Sequence, residues 1–258
     1  MQTTKNTILI TGAGSGIGLA LAEEFLKRGH QVLIGSRSAE KLSAAQEKGF
    51  KTFVVDMASS DSIKLFAEKL VREVPSLNSV IHNAGIMKNE NLLKGSHEKI
   101  QEETIKTNLL GPMLLNNFLI PHFLKKDSAT IMTVTSGLAY TPLAMTPTYS
   151  ATKAAIHSYT ESLRYQLKDT NIRVQELVPP YVQTGLMGER QLNDPNAMPL
   201  KEFIAEVMQI LSEKPNATEI VVQRVQPQRF SVNQSADNYQ AFFKNFNDRM
   251  SLARKSEF

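Results

Sequence analysis

The stretch "NTILITGAGSGIGLALAEEFLKRG" (residues 6–29) decides how this chain folds. It opens on a short apolar run, residues 6–11, that reads as a buried strand, and it closes on a helix-period segment ending at Gly29. Between the two lies "TGAGSGIG" (11–18), with glycines at Gly12, Gly14, Gly16 and Gly18 around Ser15 and Ile17. Small residues at such a turn let a pyrophosphate approach the backbone amides at the positive end of a helix. Any tight strand-to-helix turn favours glycine, so composition alone says little. The spacing is also not the common G-x-G-x-x-G, because Ile17 stands where that template needs its last glycine. The position at the first strand-to-helix junction of an alternating chain is what gives the turn its weight.

The alternation continues outward. Residues 31–36, 51–56, 78–85, 129–136 and 172–180 read as further buried strands. Helices are expected at 38–48, 60–73, 97–124 and 149–169, the third with a boundary or kink near Gly111-Pro112. Continuous apolar strands separated by helices indicate a parallel sheet covered on both faces. Right-handed crossovers then give an α/β, Rossmann-type doubly wound sheet of about seven strands. Beyond residue 180 the pattern weakens. Residues 181–200 read as a long loop, of the kind that often serves as a lid, followed by a helix near 200–213. A last strand is expected at 218–225. The tail, 235–258, places Tyr239, Phe242, Phe243, Phe246 and Met250 at helical spacing and reads as a core-facing or subunit-facing helix. No repeat or linker interrupts the chain, so residues 1–258 are expected to form one domain with a lid near 181–213.

Composition narrows the function. The 258 residues are 41% hydrophobic and 21% charged, within the range of globular proteins. The net charge of +4 is scattered rather than gathered into a stripe, which argues against nucleic acid as a partner. The absence of cysteine excludes disulfides, cysteine-ligated zinc and thiol catalysis. The five histidines show no metal-ligating spacing, so no metal is expected. No apolar run is long enough for a membrane span, and the start lacks the pattern of a signal peptide. These features point to a cytoplasmic protein with a small-molecule ligand.

The second strand ends in "GSRS" (35–38). A site for an unphosphorylated adenosine ribose usually carries Asp or Glu about 20 residues past the glycine turn. Here stand Ser36 and Arg37, and a guanidinium suits a 2′-phosphate. NADP(H) is therefore favoured as the cofactor. NAD(H), with Arg37 merely solvated, is the alternative.

A second stretch carries the chemistry. In "TPTYSATKAAIHSY" (146–159), Tyr149 and Lys153 lie four apart on one helical face among small residues. Their side chains sit on adjacent turns, roughly 6 Å apart along the axis. A free phenol, with a pKa of about 10, is a poor base at neutral pH, and a nearby ammonium lowers that value. By itself a Tyr-x-x-x-Lys pair is common by chance.

Four motifs in order change that. Thr11-Gly12-x-x-x-Gly16-Ile17-Gly18, "HNAG" (82–85), "TNLLG" (107–111) and the set Ser136, Tyr149, Lys153 resemble those of the short-chain dehydrogenase/reductase family, over about residues 5 to 190. The resemblance implies that Tyr149 exchanges the proton with the substrate oxygen and that Ser136 holds that oxygen. Lys153 would lower the tyrosine pKa and bond the nicotinamide ribose, and Asn108 would hold a water linked to Lys153. Asn83, Ala84 and Gly85 would lie against the cofactor ribose. Asp56, with Met57 beside it, stands at the family's adenine-contacting position, although a loop turn or helix cap explains Asp56 equally well. His82 replaces the family's first Asn and reads as packed or hydrogen-bonded, and His157 as a buried or interface histidine.

After the sixth strand the family commonly has Pro-Gly. This chain has Pro179-Pro180-Tyr181-Val182-Gln183-Thr184, a stiffer turn that cannot donate at 180. Pro179, Val182 and Thr184 keep the positions expected near the carboxamide. This "PP-x-V-x-T" text, together with "HNAGI", resembles the bacterial branch named after DltE. Leu138, Leu143, Tyr181, Leu186 and Met187 flank the strand ends or the loop and are candidate substrate-pocket walls, or ordinary packing. The implied activity is an NADP(H)-dependent interconversion of a carbonyl and an alcohol. A sugar-nucleotide epimerase or dehydratase would need a longer carboxyl-terminal part, and a dinucleotide-binding sensor would typically lose Tyr149 or Lys153. The resemblance also implies a homodimer or homotetramer paired through the helices at 97–124 and 149–169.

Overall fold

The computed structural model describes residues 5–253. Positions 254–258 of the expected tail lie outside the described residues. Seven strands form one parallel sheet: β1 (Thr7–Thr11), β2 (Gln31–Ser36), β3 (Lys51–Val54), β4 (Ser79–His82), β5 (Ala129–Val134), β6 (Ile172–Val178) and β7 (Glu219–Val221). Their order is β3-β2-β1-β4-β5-β6-β7, so the direction of winding reverses between β1 and β4. Ligands of doubly wound sheets bind at such a reversal, outside the carboxyl ends of the strands.

The central strands β1, β4, β5 and β6 are buried on both faces, as their largely apolar runs require, while the edge strand β3 is exposed at Lys51 and Val54. In β1, Ile8 and Ile10 pack into one core layer and Leu9 into the other. The first layer is closed by α1 (Gly16–Lys27), α2 (Ala39–Glu47) and, after the short α7 (Glu189–Asn193), α8 (Leu200–Glu213), through Phe25, Leu42, Phe203 and Val207. The second is closed by α3 (Ser60–Glu73), α5 (Gly111–Phe123) and α6 (Pro147–Gln166), through Phe66, Leu70, Leu119 and Leu163. Each such side chain, fully buried, contributes about 1.5–3 kcal/mol. Local chemistry sets the helix starts. Ser38 and Ser59 cap α2 and α3 by accepting from Lys41 N at 3.3 Å and Ser62 N at 3.2 Å. Pro147, with its φ preset for a first helical turn, starts α6 two residues earlier than expected.

The expected helix at 97–124 is α4 (Glu98–Ile105) and α5, joined by a widened π-helical segment, Lys106–Leu110. Pro112 lacks the amide that would bond the carbonyl of residue 108, so the regular ladder cannot run through this point. Gly111 lets the helix touch the backbone after β3, since a Cβ there would collide with the carbonyl oxygen of Met57. The last strand is shorter than expected. Its pairing with β6 ends at Val178↔Val221, because Pro179-Pro180 stops β6 and leaves later residues without a ladder partner. The chain then turns through α9 (Gln226–Arg229) into α10 (Ala236–Ala253). Among the described residues no helix is long and apolar enough to cross a membrane.

Candidate active site

The carboxyl ends of β1, β2, β4, β5 and β6 open into one cleft of about 530 Å³. It is lined by Gly12, Ser15, Gly16 and Ile17 of the glycine turn, Ser36, Arg37, Asp56, Met57, residues 83–85, Ser136, Tyr149, Lys153, Pro179, Val182, Thr184 and Leu186. Gly14 and Gly18, expected there, instead face Lys41 and Asn83.

At the floor, the first glycine is required by geometry. Gly12 has φ +68°, and a Cβ there would sit 2.5 Å from the Cα of Ala84. That close approach of β1 to β4 is stitched by Thr11, whose hydroxyl accepts from Asn83 N at 3.1 Å and Ala84 N at 3.2 Å. The Asn83 side chain returns a bond to the Thr11 carbonyl at 3.0 Å. Asn83 and Ala84 therefore build the floor rather than project from it. A backbone cradle this tight, at the amino end of α1, fits the phosphates of a dinucleotide.

At the β2 end, Arg37 pairs with Glu103 of α4 at 3.0 Å, and both are exposed. Beside it Lys41 reaches Ser15 Oγ at 3.3 Å. Lys41 lines the cleft and was not among the expected site residues, although a lysine in the first helical turn beyond Arg37 was a legible signal. Asp56 also lines the cleft, and its Oδ1 accepts from Ala58 N at 2.9 Å, the loop-turn role weighed above.

At the chemical end, Ser136, Tyr149 and Lys153 converge, with exposures of 8%, 7% and 5%. Ser136 caps the turn Gly137–Ala139 by accepting from Leu138 N at 3.1 Å. Lys153 Nζ donates to the Val134 carbonyl at 2.7 Å and lies 5.5 Å from the Tyr149 ring centre. The electrostatics correct one expectation. The phenol is not acidified: burial pushes it up to about 12, and the Ser136 hydroxyl only partly opposes that. Burial likewise draws Lys153 down to about 8, with the Glu176 carboxylate resisting. The lysine's hydrogen bond goes to the Val134 carbonyl and not to the phenol, so desolvation governs the phenol.

Asn108 lies in the π-helical segment, and its amide braces two other parts of the site. It accepts from Ile86 N at 2.9 Å and donates to the Ile86 carbonyl at 2.9 Å and to Thr152 Oγ1 at 3.2 Å. These bonds tie the loop after β4 to the helix of Tyr149. Val182 and Thr184 are held by Gln191, a residue the sequence reading did not single out, which donates to the Val182 carbonyl at 2.8 Å and Thr184 Oγ1 at 3.1 Å.

The expected substrate walls divide. Leu138, Leu143 and Met187 pack in one cluster with Tyr149, together with Met87, Met145, Phe246 and Met250. Leu186 lines the dinucleotide cleft. Tyr181 belongs to neither group, and its hydroxyl bonds Asp194 at 3.0 Å. Phe246 and Met250 come from α10, so the tail expected to face the core or a subunit also covers the apolar side of the site. Asn247 fastens it, accepting from Ala144 N at 2.6 Å and donating to the Pro142 carbonyl at 3.1 Å.

Comparison with known proteins shows the family and the fold. The sequence model of the short chain dehydrogenase family matches residues 6–195. The chain is 42% identical over 189 residues, 72% of its length and 75% of the relative's, to the uncharacterized oxidoreductase DltE of Bacillus subtilis (strain 168). It is 31% identical over 189 residues, 72% of its length and 77% of the relative's, to the 3-oxoacyl-[acyl-carrier-protein] reductase FabG of Buchnera aphidicola. In fold it superposes with a TM-score of 0.81 on a short-chain dehydrogenase from Burkholderia cenocepacia J2315 solved in complex with NADP, at 22% identity, covering 94% of this chain and 99% of the other. The chain belongs to the short-chain dehydrogenase/reductase family, in its DltE-like branch, and is an NAD(P)-dependent oxidoreductase.

Proposed function

We propose that this oxidoreductase reduces a carbonyl compound, or oxidises the matching alcohol, with NADP(H) as its cofactor. The observation that carries the reading is the convergence of Ser136, Tyr149 and Lys153 at the end of the cleft whose floor is the glycine turn. The bound nicotinamide would supply or accept the hydride. As oxygen gains negative charge, the Ser136 hydroxyl donates a hydrogen bond to it and the Tyr149 phenol delivers the proton. A phenol pushed up to about 12 is protonated at neutral pH, the form that carbonyl reduction uses. Oxidation needs the phenolate and accelerates as pH rises. Lys153 would hold the ribose hydroxyls of the bound cofactor, and its charge would favour the phenolate left behind.

Arg37 and Lys41 support the choice of NADP(H). Two cations beside the end of β2, with no acidic residue at positions 35–38, suit a phosphate better than a bare ribose. The cluster of Leu138, Leu143, Met87, Met145 and Met187 around Tyr149 suits an apolar substituent next to the carbonyl. The test is a panel of ketones and aldehydes assayed with NADPH and with NADH. Turnover of apolar carbonyls, at least tenfold more efficient with NADPH, is expected. A clear NADH preference overturns the cofactor assignment, and no turnover with either cofactor overturns the reaction.

A further inference from the structure

One buried charged group lies behind the site and takes no part in the reading above. Glu176 stands in β6, in register with Thr133 of β5, and is 0% exposed. Burying a carboxylate is costly unless it is hydrogen-bonded and faced by positive charge. Its Oε1 accepts from Thr135 Oγ1 at 2.7 Å and from the Tyr140 hydroxyl at 3.0 Å. Its Oε2 meets His157 Nδ1 at 2.8 Å.

Those contacts bracket the chemical groups. Thr135 lies between Val134, whose carbonyl holds Lys153, and Ser136. Tyr140 follows the turn that Ser136 caps. His157 is one helical turn beyond Lys153 on α6. A single carboxylate thus ties both ends of the segment that carries Ser136 to the helix that carries Lys153.

The other charged groups nearby are accounted for. From α6, Glu161 lies 3.7 Å from His157 Nε2, and Arg164 donates to the Val174 carbonyl at 3.2 Å. From α9, Arg229 stacks 4.5 Å from the Tyr140 ring centre and pairs with Glu219 of β7 at 2.7 and 2.9 Å.

We propose that Glu176 is a positioning residue of the reaction, fixing Ser136 through Thr135 and Tyr140 and acting as the buried counter-charge of the Lys153 ammonium. The proposal rests on the oxidoreductase reading given above. Its sign follows from the charges: Glu176 resists the downward pull of burial on Lys153, so removing its charge makes the ammonium lose its proton at lower pH.

Glu176→Gln keeps the shape and removes the charge. Its alkaline limb of kcat/KM for carbonyl reduction is expected to move about one pH unit toward acid. The pH dependence of NADPH binding, followed by fluorescence, is expected to move with it, and Glu176→Asp to restore both. An unmoved limb and unmoved binding profile in a folded Glu176→Gln protein overturn the proposal. Should that variant not fold, Tyr140→Phe removes one anchor without changing charge. Its kcat is expected to fall about fivefold with NADPH affinity unchanged, as misplacement of a reacting group predicts. Wild-type kcat in Tyr140→Phe then overturns the proposal. The binding arm needs no turnover, so a wild-type protein that binds NADPH but reduces nothing contradicts the oxidoreductase reading while Glu176 is still judged by its own shift.

Discussion

His82 illustrates how one residue adapts the family's strand end. The resemblance has an asparagine in its place, and here the ring is buried at 3% exposure with Nε2 2.8 Å from Asn116 Oδ1. Asn116 in turn donates to the Tyr159 hydroxyl at 3.3 Å. His82 Nδ1 is buried and unpaired, so a second proton on the ring would find no acceptor. Burial accordingly pulls the imidazole from 6.5 down to about 4, the Asn116 bond only partly opposing. The unfolded chain takes up a proton near 6.5 and the fold does not until about 4. Stability is therefore whole above pH 6.5 and falls as pH drops from 6.5 toward 4, by on the order of 3 kcal/mol. Thermal melts across that window should show a steeper acid loss for the wild type than for His82→Asn; identical slopes contradict this account. Residue identities such as Tyr149, Lys153 and Ser136 were legible in sequence because their spacing is local or follows motif order. The raised phenol pKa was not, because it depends on how deeply the fold buries Tyr149 and on where the lysine points.

Among the elements, the strands and their helices were legible because buried parallel strands must be apolar throughout. Pro121, inside α5, does not end its helix, but the boundary at Gly111-Pro112 was legible too, since Pro112 has no amide to continue the helical ladder. That interruption serves the site. It sets Asn108 in a widened turn whose amide joins Ile86 to Thr152. The course of α10 was not legible. Its aromatic stripe marks an apolar face, but the surface that face covers is set by long-range contacts: Phe246 and Met250 pack in the cluster of Tyr149, and Asn247 bonds the segment 142–144. The glycine turn is the element most tightly specified. Gly12→Ala would force a side chain into φ +68° and against Ala84. A stability loss of about 1–3 kcal/mol is expected from the strain alone. NADPH affinity should fall at least tenfold, since β1 and β4 could no longer close together. Melting and fluorescence titration check both effects, and wild-type affinity in this variant would remove the turn from the binding site.

Over the whole molecule, the reversal of winding between β1 and β4 decides where everything else goes. It brings the glycine turn, the Asn83–Gly85 floor and the ends of β5 and β6 to one edge of the sheet. The two halves of the cleft have different characters. The β2 side presents Arg37, paired with Glu103, and Lys41, while the far side ends at Tyr149 and Met87, behind which an apolar cluster packs. On the proposed function, the dinucleotide's phosphates would take the first end and the carbonyl compound the second, with Tyr149 and Ser136 at their junction. The match to the family model stops at residue 195, while α10, which completes the apolar end, lies beyond it. That division explains why the reaction class could be read from motifs and the apolar cover could not. The most direct test of this account is the rate of NADPH oxidation by Tyr149→Phe with the best carbonyl of the panel, measured beside its NADPH affinity. The phenol's role as proton donor predicts affinity close to wild type and a kcat lower by about 10²–10⁴. A variant that binds NADPH and turns over at the wild-type rate would contradict it.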